Sequence, residues 1–455
     1  MNKNSLSFLR ENGAHIFILC VLLILTIFRI SAYGNLRLSI ANAETDSYIN
    51  SSRASIFSWQ IFAGKRLFTT NLIYKFANDA ENCPITSYGK PGIGQEDERR
   101  IQPCFDKIAL LQNILSLFGW AFLAYIVAKR LRNFFIKLTS AIVIVLFGFT
   151  PQIAEWDSIL SPESLSLSML AITLALTIEL AFSLSKSQTP FQTKNEKILL
   201  AACVVLFLLW VFVRDVHLYT IPITVGLLAL LFFIKNFRWQ KPLMITIILL
   251  FAFFVIGFLS ARDSLRATRY PVINAIDAYI QPYPARVAFF KQFDMPARDD
   301  PTYQDWADKN ATKAYGLFLI THPGFVATTL WDYLDQLSDN FIQPYFFTDE
   351  IKHRETLVTI GQFLHPQTPA MYLLALILVI ALIENSIQTR QPDMLAWAWL
   401  GIWVFAIGTA TLFLSFFGDT AGTRRHIMPS VETLRLFLWI FLMPFLDKAL
   451  RPNQE

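Results

Sequence analysis

Two acidic pairs are the residues of this sequence best suited to chemistry. Glu44 and Asp46 follow the first apolar stretch, and Glu155 and Asp157 follow the third. Carboxylates beside a membrane need a reason, because desolvating them is costly. One such group can take a proton from an attacking hydroxyl, and Asp46, Glu155 and Asp157 could hold Mg²⁺ or Mn²⁺, which prefer oxygen ligands. We expect both pairs to share one site, in which any of the four could be the base.

Arginines supply the opposite charge. Arg424, Arg425 and His426 lie in a short segment before the last apolar stretch, and Arg262 and Arg269 follow the seventh. Arginine suits phosphate because its planar group makes bidentate contacts. These side chains, or a metal, would stabilise a phosphate leaving group. The alternatives are a cytoplasmic loop for the first set and a face exposed to solvent or lipid headgroups for the second.

Several of these residues also have structural interpretations. Thr45 or Asp46 would make a good helix N-cap. Ser161-Pro162-Glu163 is typical of a helix start, with an acid in the first turn, so Glu163 is interpreted first as structural. The residues from Arg214 to His217 could form a charge cluster that pairs with itself.

The elements that position these residues are membrane helices. The chain has 455 residues, of which 54% are hydrophobic and 16% charged, with a mean hydropathy of +0.43. This composition predicts an all-α polytopic membrane protein, and the lack of a long basic run argues against a nucleic-acid partner. The apolar stretches predict about ten transmembrane helices, at roughly 14–33, 108–128, 138–154, 164–184, 198–213, 217–234, 243–260, 368–384, 395–417 and 431–446.

The short loops predict the sidedness. Loops rich in lysine and arginine, such as 129–137, alternate with the loop 155–163, which has no basic residue. The basic loops and both termini are therefore expected in the cytoplasm, and 34–107, 155–163 and 261–367 outside it. An active site on this side would face the periplasm or the cell exterior of a bacterial-type inner (cytoplasmic) membrane.

We expect three regions. Residues 1–260 form a transmembrane core whose first outer loop, 34–107, carries the acidic site. Residues 53–76 show helical spacing that suits interfacial helices or a small packed helix, and Cys83 and Cys104 could pair if the loop is in an oxidising compartment. Residues 261–367 form a small, mostly helical outer cap, and 368–455 hold the C-terminal transmembrane helices.

With these features the sequence resembles the GT-C superfamily of integral membrane glycosyltransferases. Asp46 within Glu44-Thr45-Asp46 matches the acid of the family's first outer loop, and Glu155-Trp156-Asp157 matches its second acidic motif. Arg424-Arg425-His426 resembles its outer basic motif. The resemblance implies a hexosyl- or pentosyltransferase that takes sugar from a polyprenyl phosphate or diphosphate. It also implies that Asp46 is the catalytic base or orients the acceptor, which would be a lipid or glycan. Members differ in their need for a metal.

Two alternatives come from other classes. A transporter or flippase of lipid-linked sugars would place charges within its spans and show repeated halves, whereas here the charges gather at one face. A polymerase or ligase of the O-antigen type would depend on arginine and histidine rather than on acids in the first loop. Replacement of Asp46 separates the two enzyme interpretations, because the acid should matter greatly for a glycosyltransferase of the GT-C type and little for such a polymerase or ligase.

Overall fold

The computed structural model describes residues 3–42, 44–77, 101–266, 268–343 and 351–450, without the side chains of residues 3–12, 63, 268 and 269. These ranges are helical and contain no strand. Their β pairing consists of single bridges from Ile40 to Ile101 and to Ile159. The predicted all-α architecture is confirmed.

The chain forms long helices separated by groups of short ones. In order, the α-helices are α1 (Lys3–Tyr33), α2 (Thr45–Ser52), α3 (Trp59–Ala63), α4 (Phe68–Ala77), α5 (Asp106–Arg130), α6 (Phe134–Phe149), α7 (Pro151–Ala154), α8 (Pro162–Lys186), α9 (Lys194–Val211), α10 (Thr220–Leu230), α11 (Lys241–Asp263), α12 (Ile273–Tyr279), α13 (Pro284–Lys291), α14 (Tyr303–Trp306), α15 (Thr312–Thr321), α16 (Pro323–Asp332), α17 (Arg354–Leu364), α18 (Ala370–Thr389), α19 (Pro392–Gly418) and α20 (Thr423–Ala449). Short 3₁₀ turns lie at Pro103–Phe105, Glu155–Ser158, Asp215–Tyr219, Leu231–Phe233 and Gln336–Ser338, and π turns at Thr268–Val272 and Ala307–Ala311.

Among the described residues, eight helices are long and apolar enough to cross a membrane, and α6 with the bent segment after it makes a ninth. The chain is therefore an integral membrane protein. The remaining predicted span corresponds to α9, an 18-residue helix. Its first turn contains the charged residues Lys194, Glu196 and Lys197, and Thr193 and Glu196 form a capping box there. Its other end meets α4, where the Thr69 amide donates to the Phe212 carbonyl at 3.1 Å.

The interior of the bundle is formed by α5, α6, α8, α19 and α20, which pack on one another. Of the spans, α8 and α20 are the most buried, whereas α1, α10, α11 and α18 expose most of their apolar surface. Exposed apolar side chains on these outer helices suit a hydrocarbon environment. The helix that begins just after the second acidic segment, α8, is thus the most buried of the spans.

Backbone pairing brings the two predicted outer segments together at one end of the bundle. The Ile40 amide donates to the Ser158 carbonyl at 2.8 Å, and the Leu160 amide donates to the Ile40 carbonyl at 2.9 Å. The Thr45 hydroxyl donates to the Leu160 carbonyl at 2.9 Å. These bonds hold the start of α2 beside the start of α8, and we call this end of the molecule the α2 end.

The last long loop also reaches the α2 end. Gly422 has φ +71°, a left-handed conformation that side chains rarely adopt, and it lets α20 begin immediately after the turn. The amides of Arg425 and His426 donate to the Gly422 carbonyl at 2.9 and 3.2 Å. The first turn of α20 therefore carries both side chains into the bundle.

The predicted outer loops hold the short helices. Residues 53–76 contain α3 and α4, with Phe57 almost fully exposed and Ile61 buried. Residues 261–367 contain α12 to α17. Cys104 is disulfide-bonded, whereas Cys83, its predicted partner, lies outside the described residues.

Candidate functional site

Glu44 lies between two arginines at the α2 end. It occupies the N-cap position of α2 but makes no side-chain capping bond. Its carboxylate instead forms ion pairs with Arg66, at 3.2 Å, and with Arg425. Burial alone would raise the pKa of Glu44, but the Arg425 and Arg66 charges outweigh it and lower the pKa to about 2. Glu44 is therefore a poor proton acceptor at neutral pH and a good anchor for both guanidinium groups.

Arg66 is held by its own surroundings as well as by Glu44. The side-chain amide of Asn71 donates from Nδ2 to the Arg66 backbone carbonyl at 2.9 Å and fixes the turn that precedes α4. The Arg66 guanidinium lies 4.1 Å from the centre of the Tyr48 ring and donates to Ser47 Oγ at 2.8 Å. Contacts on several sides therefore fix the position of the Arg66 guanidinium group.

Glu163 is the buried partner of a second pair of arginines. Its Oε1 lies 3.5 Å from Arg214 Nη1 and 3.5 Å from Arg425 Nε, while only 1% of its side chain is exposed. Arg425 thus connects Glu44 to Glu163. An acid that begins a helix in the sequence is, in the structure, at the centre of a charged network.

His426 and Asp419 extend this network. Arg214 Nη2 and His426 Nδ1 are 2.8 Å apart, and His426 Nε2 lies 3.7 Å from Asp419 Oδ2. Burial raises the pKa of Asp419, although the Asn274 side chain and the Ala421 amide oppose this by donating to its Oδ1, each at 2.9 Å. The loop before α20 is thereby tied to α12.

Together these side chains form what we call the arginine–carboxylate cluster, whose members are Glu44, Arg66, Glu163, Arg214, Arg425, His426 and Asp419. They come from α2, the turn before α4, α8, the turn after α9, α20 and its preceding loop. Three guanidinium groups and His426 face three carboxylates in this partly desolvated site, and guanidinium groups are suited to a phosphate anion.

Asp46 is placed differently from Glu44, although only two residues separate them. It lies in the first turn of α2 with an exposed side chain. Its Oδ1 accepts a hydrogen bond from the Asn50 side chain at 2.8 Å. An exposed carboxylate two residues from Glu44 is available to a group that arrives from solvent.

The carboxylates of the second acidic pair, Glu155 and Asp157, do not face the cluster. Asp157 is fully buried, forms an ion pair with Arg29 and accepts a hydrogen bond from Ser164 at 2.5 Å. Glu155 is also fully buried, and its Oε1 lies 2.7 Å from Arg354 Nε. The backbone segments therefore adjoin as expected, but the four carboxylates do not converge. The acid that this loop contributes to the cluster is Glu163.

The predicted phosphate ligands separate in the same way. Arg425 and His426 lie in the cluster, whereas Arg424 contacts Asp339 at 3.3 Å and points away toward the loop after α16. Arg262 is exposed in the last turn of α11. The side chain of Arg269 lies outside the described residues.

The proposed metal ligands do not form a metal centre in this arrangement. Glu155 and Asp157 are each occupied by an arginine, and the Asp46 side chain contacts Asn50. In the part of the chain that the structure describes, no group of three or more histidine, cysteine, aspartate or glutamate residues converges. These residues do not fit a bound Mg²⁺ or Mn²⁺, and we derive no step through a metal.

Arg66 and Arg214 have little in their local sequence to indicate a place in the cluster. Arg66 stood out only as a basic residue beside a possible interfacial helix. Arg214 was expected to pair with its neighbours, but it contacts Glu163 and His426 instead. Asp215 pairs with Arg266 at 3.0 Å, and the buried His217 ring stacks on Trp210. The available signal was that Arg214 and Glu163 fall at the same predicted membrane end.

These features define an integral membrane protein with a charged site at one end of its helical bundle. No family model and no curated protein matches the chain. Among solved structures it is similar to the archaeal oligosaccharyltransferase AglB from Archaeoglobus fulgidus, in complex with an inhibitory peptide and a dolichol-phosphate. The identity is 14% and the TM-score 0.45, over 96% of this chain and 52% of that one.

The apo form of the Archaeoglobus fulgidus enzyme gives 13% identity and a TM-score of 0.47, over 95% of this chain and 51% of that one. Its complex with Zn and sulfate gives 12% and 0.42, over 94% and 49%. The chain thus spans about half the length of these structures.

Proposed function

We propose that this protein is a glycosyltransferase that moves a hexose or pentose from a polyprenyl phosphate or diphosphate to a lipid or glycan acceptor. The observation that carries the proposal is the cluster of three arginines at a membrane end of the bundle, with the exposed Asp46 carboxylate two residues from Glu44 of that cluster. A base and an anion site side by side are what transfer from a phosphate requires.

In the proposed reaction the acceptor hydroxyl oxygen attacks the anomeric carbon of the donor sugar. The bond between that carbon and the phosphate oxygen breaks, and its electron pair leaves with the polyprenyl phosphate. Asp46 receives the hydroxyl proton, since its exposed carboxylate has room for an acceptor. Glu44 does not take this role because its low pKa disfavours protonation.

The leaving phosphate is neutralised by Arg425 and Arg66. Both are more than three-quarters buried, so their interaction with an anion is screened less than at an open surface. Glu44 holds the two groups near each other before the donor binds, which reduces the reorganisation needed during the reaction. His426 fixes the neighbouring Arg214.

The position of the site explains the kind of donor. A polyprenyl chain keeps its phosphate at the membrane surface, where the long helices end and the cluster begins. The loop charges predict that this end faces the periplasm or cell exterior, where nucleotide sugars are absent and the sugar must arrive on a lipid.

The test is sugar transfer by the purified protein in nanodiscs. Undecaprenyl phosphates carrying glucose, galactose, mannose or arabinose would be offered with lipid and glycan acceptors from a bacterial envelope. Formation of a glycosylated product with release of undecaprenyl phosphate supports the proposal. Movement of intact donors across proteoliposomes, without product, would favour a transporter instead.

A further inference from the structure

Two polar atoms inside the cluster have unused hydrogen-bonding capacity. Glu163 Oε2 and Arg214 Nη1 are buried and have no hydrogen-bond partner in the described part of the chain. The two side chains adjoin, since Glu163 Oε1 lies 3.5 Å from Arg214 Nη1. They are 1% and 10% exposed. A buried polar atom without a partner has lost its hydration without compensation, so a ligand that serves both atoms binds favourably.

The chemistry of the two atoms limits that ligand. Glu163 Oε2 needs a donor, whereas Arg214 Nη1 needs an acceptor. A phosphate oxygen serves only the arginine, and an ammonium group serves only the glutamate. A hydroxyl serves both, because it donates its proton to the carboxylate and accepts from the guanidinium through its oxygen.

We propose that Glu163 and Arg214 form a subsite for a hydroxyl of the sugar carried by the lipid donor. This inference rests on the proposed function for the identity of its ligand. Arg425, the proposed phosphate ligand, contacts the same Glu163 oxygen as Arg214 does. The hydroxyl subsite therefore adjoins the phosphate subsite, as the hydroxyls next to an anomeric carbon adjoin its phosphate. The acceptor hydroxyl is assigned to exposed Asp46.

The experiment compares binding of the donor with binding of its phosphate alone. Affinities of full-length protein in detergent would be measured for undecaprenyl phosphate and for undecaprenyl phosphates carrying glucose, galactose, mannose or arabinose. The variants are Glu163→Gln and Arg214→Lys, which keep similar side-chain sizes. The control is Glu179→Gln, which lies on the same helix and contacts Lys129, at 3.0 Å, and Arg130, away from the cluster.

The wild-type protein is expected to bind at least one sugar-bearing lipid about tenfold more tightly than undecaprenyl phosphate. Glu163→Gln removes this preference, while its affinity for undecaprenyl phosphate stays within threefold or rises, because a negative charge has left the arginines. Arg214→Lys also reduces the preference and decides the matter if Glu163→Gln does not fold. Glu179→Gln keeps the wild-type preference.

An equal loss for both kinds of lipid would overturn the inference, because Glu163 would then only position the arginines. So would a preference that both variants retain, or a wild-type protein without any preference. The proposed function is tested separately by turnover. If the preference for sugar-bearing lipid depends on Glu163 but no donor gives transfer, the subsite is supported and the proposed enzyme activity is contradicted. If transfer occurs but both variants keep the wild-type preference, the enzyme activity is supported and the subsite is contradicted.

Discussion

Replacement of Glu44 by glutamine tests whether this carboxylate holds the arginines together. The pKa of Glu44 is lowered from 4.5 to about 2, which corresponds to about 3 kcal/mol at about 1.4 kcal/mol per pH unit. Because the side chain is 32% exposed, solvent screening reduces the expected contribution to about 1–2 kcal/mol. Glu44→Gln should therefore lower the melting temperature by a few degrees at pH 7.

The sign of the pH dependence follows from the direction of the shift. A carboxylate with a lowered pKa stabilises the folded state fully above its unfolded pKa of about 4.5, and this contribution is lost as the pH falls toward 2. About 60% of it should be gone at pH 3. The melting temperatures of wild type and Glu44→Gln are thus expected to approach each other between pH 5 and pH 3.

The assay is intrinsic fluorescence during thermal unfolding in detergent at pH 7, 5, 4 and 3. Glu384→Gln is the control, because Glu384 is an exposed carboxylate on α18 that accepts only a side-chain bond from Gln388, at 2.9 Å. It should melt like wild type at each pH. A difference in melting temperature between wild type and Glu44→Gln that is absent at pH 7, or unchanged at pH 3, would show that the Glu44 charge does not hold the arginines together.

Three further substitutions probe the site and the bundle that carries it. Arg425→Ala should weaken binding of undecaprenyl phosphate by tenfold or more, measured by titration, whereas Arg298→Ala, at an exposed ion pair, should not. Asp157→Asn leaves a buried guanidinium unpaired at a cost of about 3–5 kcal/mol, so the yield of monodisperse protein should collapse. Gly148→Ala places a Cβ 2.2 Å from the Trp120 ring and should destabilise the protein by about 1–3 kcal/mol, measured by thermal unfolding. The control Gly226→Ala should not, because its Cβ enters open space.

Each of these three predictions would be contradicted by a specific result. Equal lipid affinity in Arg425→Ala and wild type would remove Arg425 from the anion site. A stable but inactive Asp157→Asn would assign that residue to catalysis rather than to packing. A Gly148→Ala protein that melts like wild type would show that α5 and α6 are not in close contact.

Much of the fold could be predicted because membrane helices have a strong signal. Long apolar stretches and basic loops located nine of the helices that the structure shows, and α9 as a tenth. The prediction also placed Glu44, Glu163, Arg214 and Arg425 at one end of the bundle, where the structure brings them together. The alternation of loop charge is sufficient to predict the end of the bundle at which each residue lies, because that end depends on the number of spans and not on how the helices pack.

The pairing of charges could not be predicted, because it depends on how helices distant in sequence pack. Asp157 resembles Asp46 in its sequence surroundings, yet Arg29, 128 residues earlier, neutralises it inside the bundle. Glu155 is neutralised by Arg354, 199 residues later. Glu163 looked like part of a helix start, and that position is correct, but the side chain reaches two arginines. A local motif cannot distinguish an acid that is already paired from one that faces a ligand.

We propose that Asp46 accepts the proton of the attacking hydroxyl while the arginine–carboxylate cluster binds the donor. The most direct measurement follows Asp46→Asn with a donor that the wild type uses, recording donor affinity and transfer rate on the same preparation. We expect Asp46→Asn to have a donor affinity within about threefold of wild type and a transfer rate about 10²–10⁴ times lower. A transfer rate close to that of wild type would contradict it, and so would a rate lost only in proportion to donor binding.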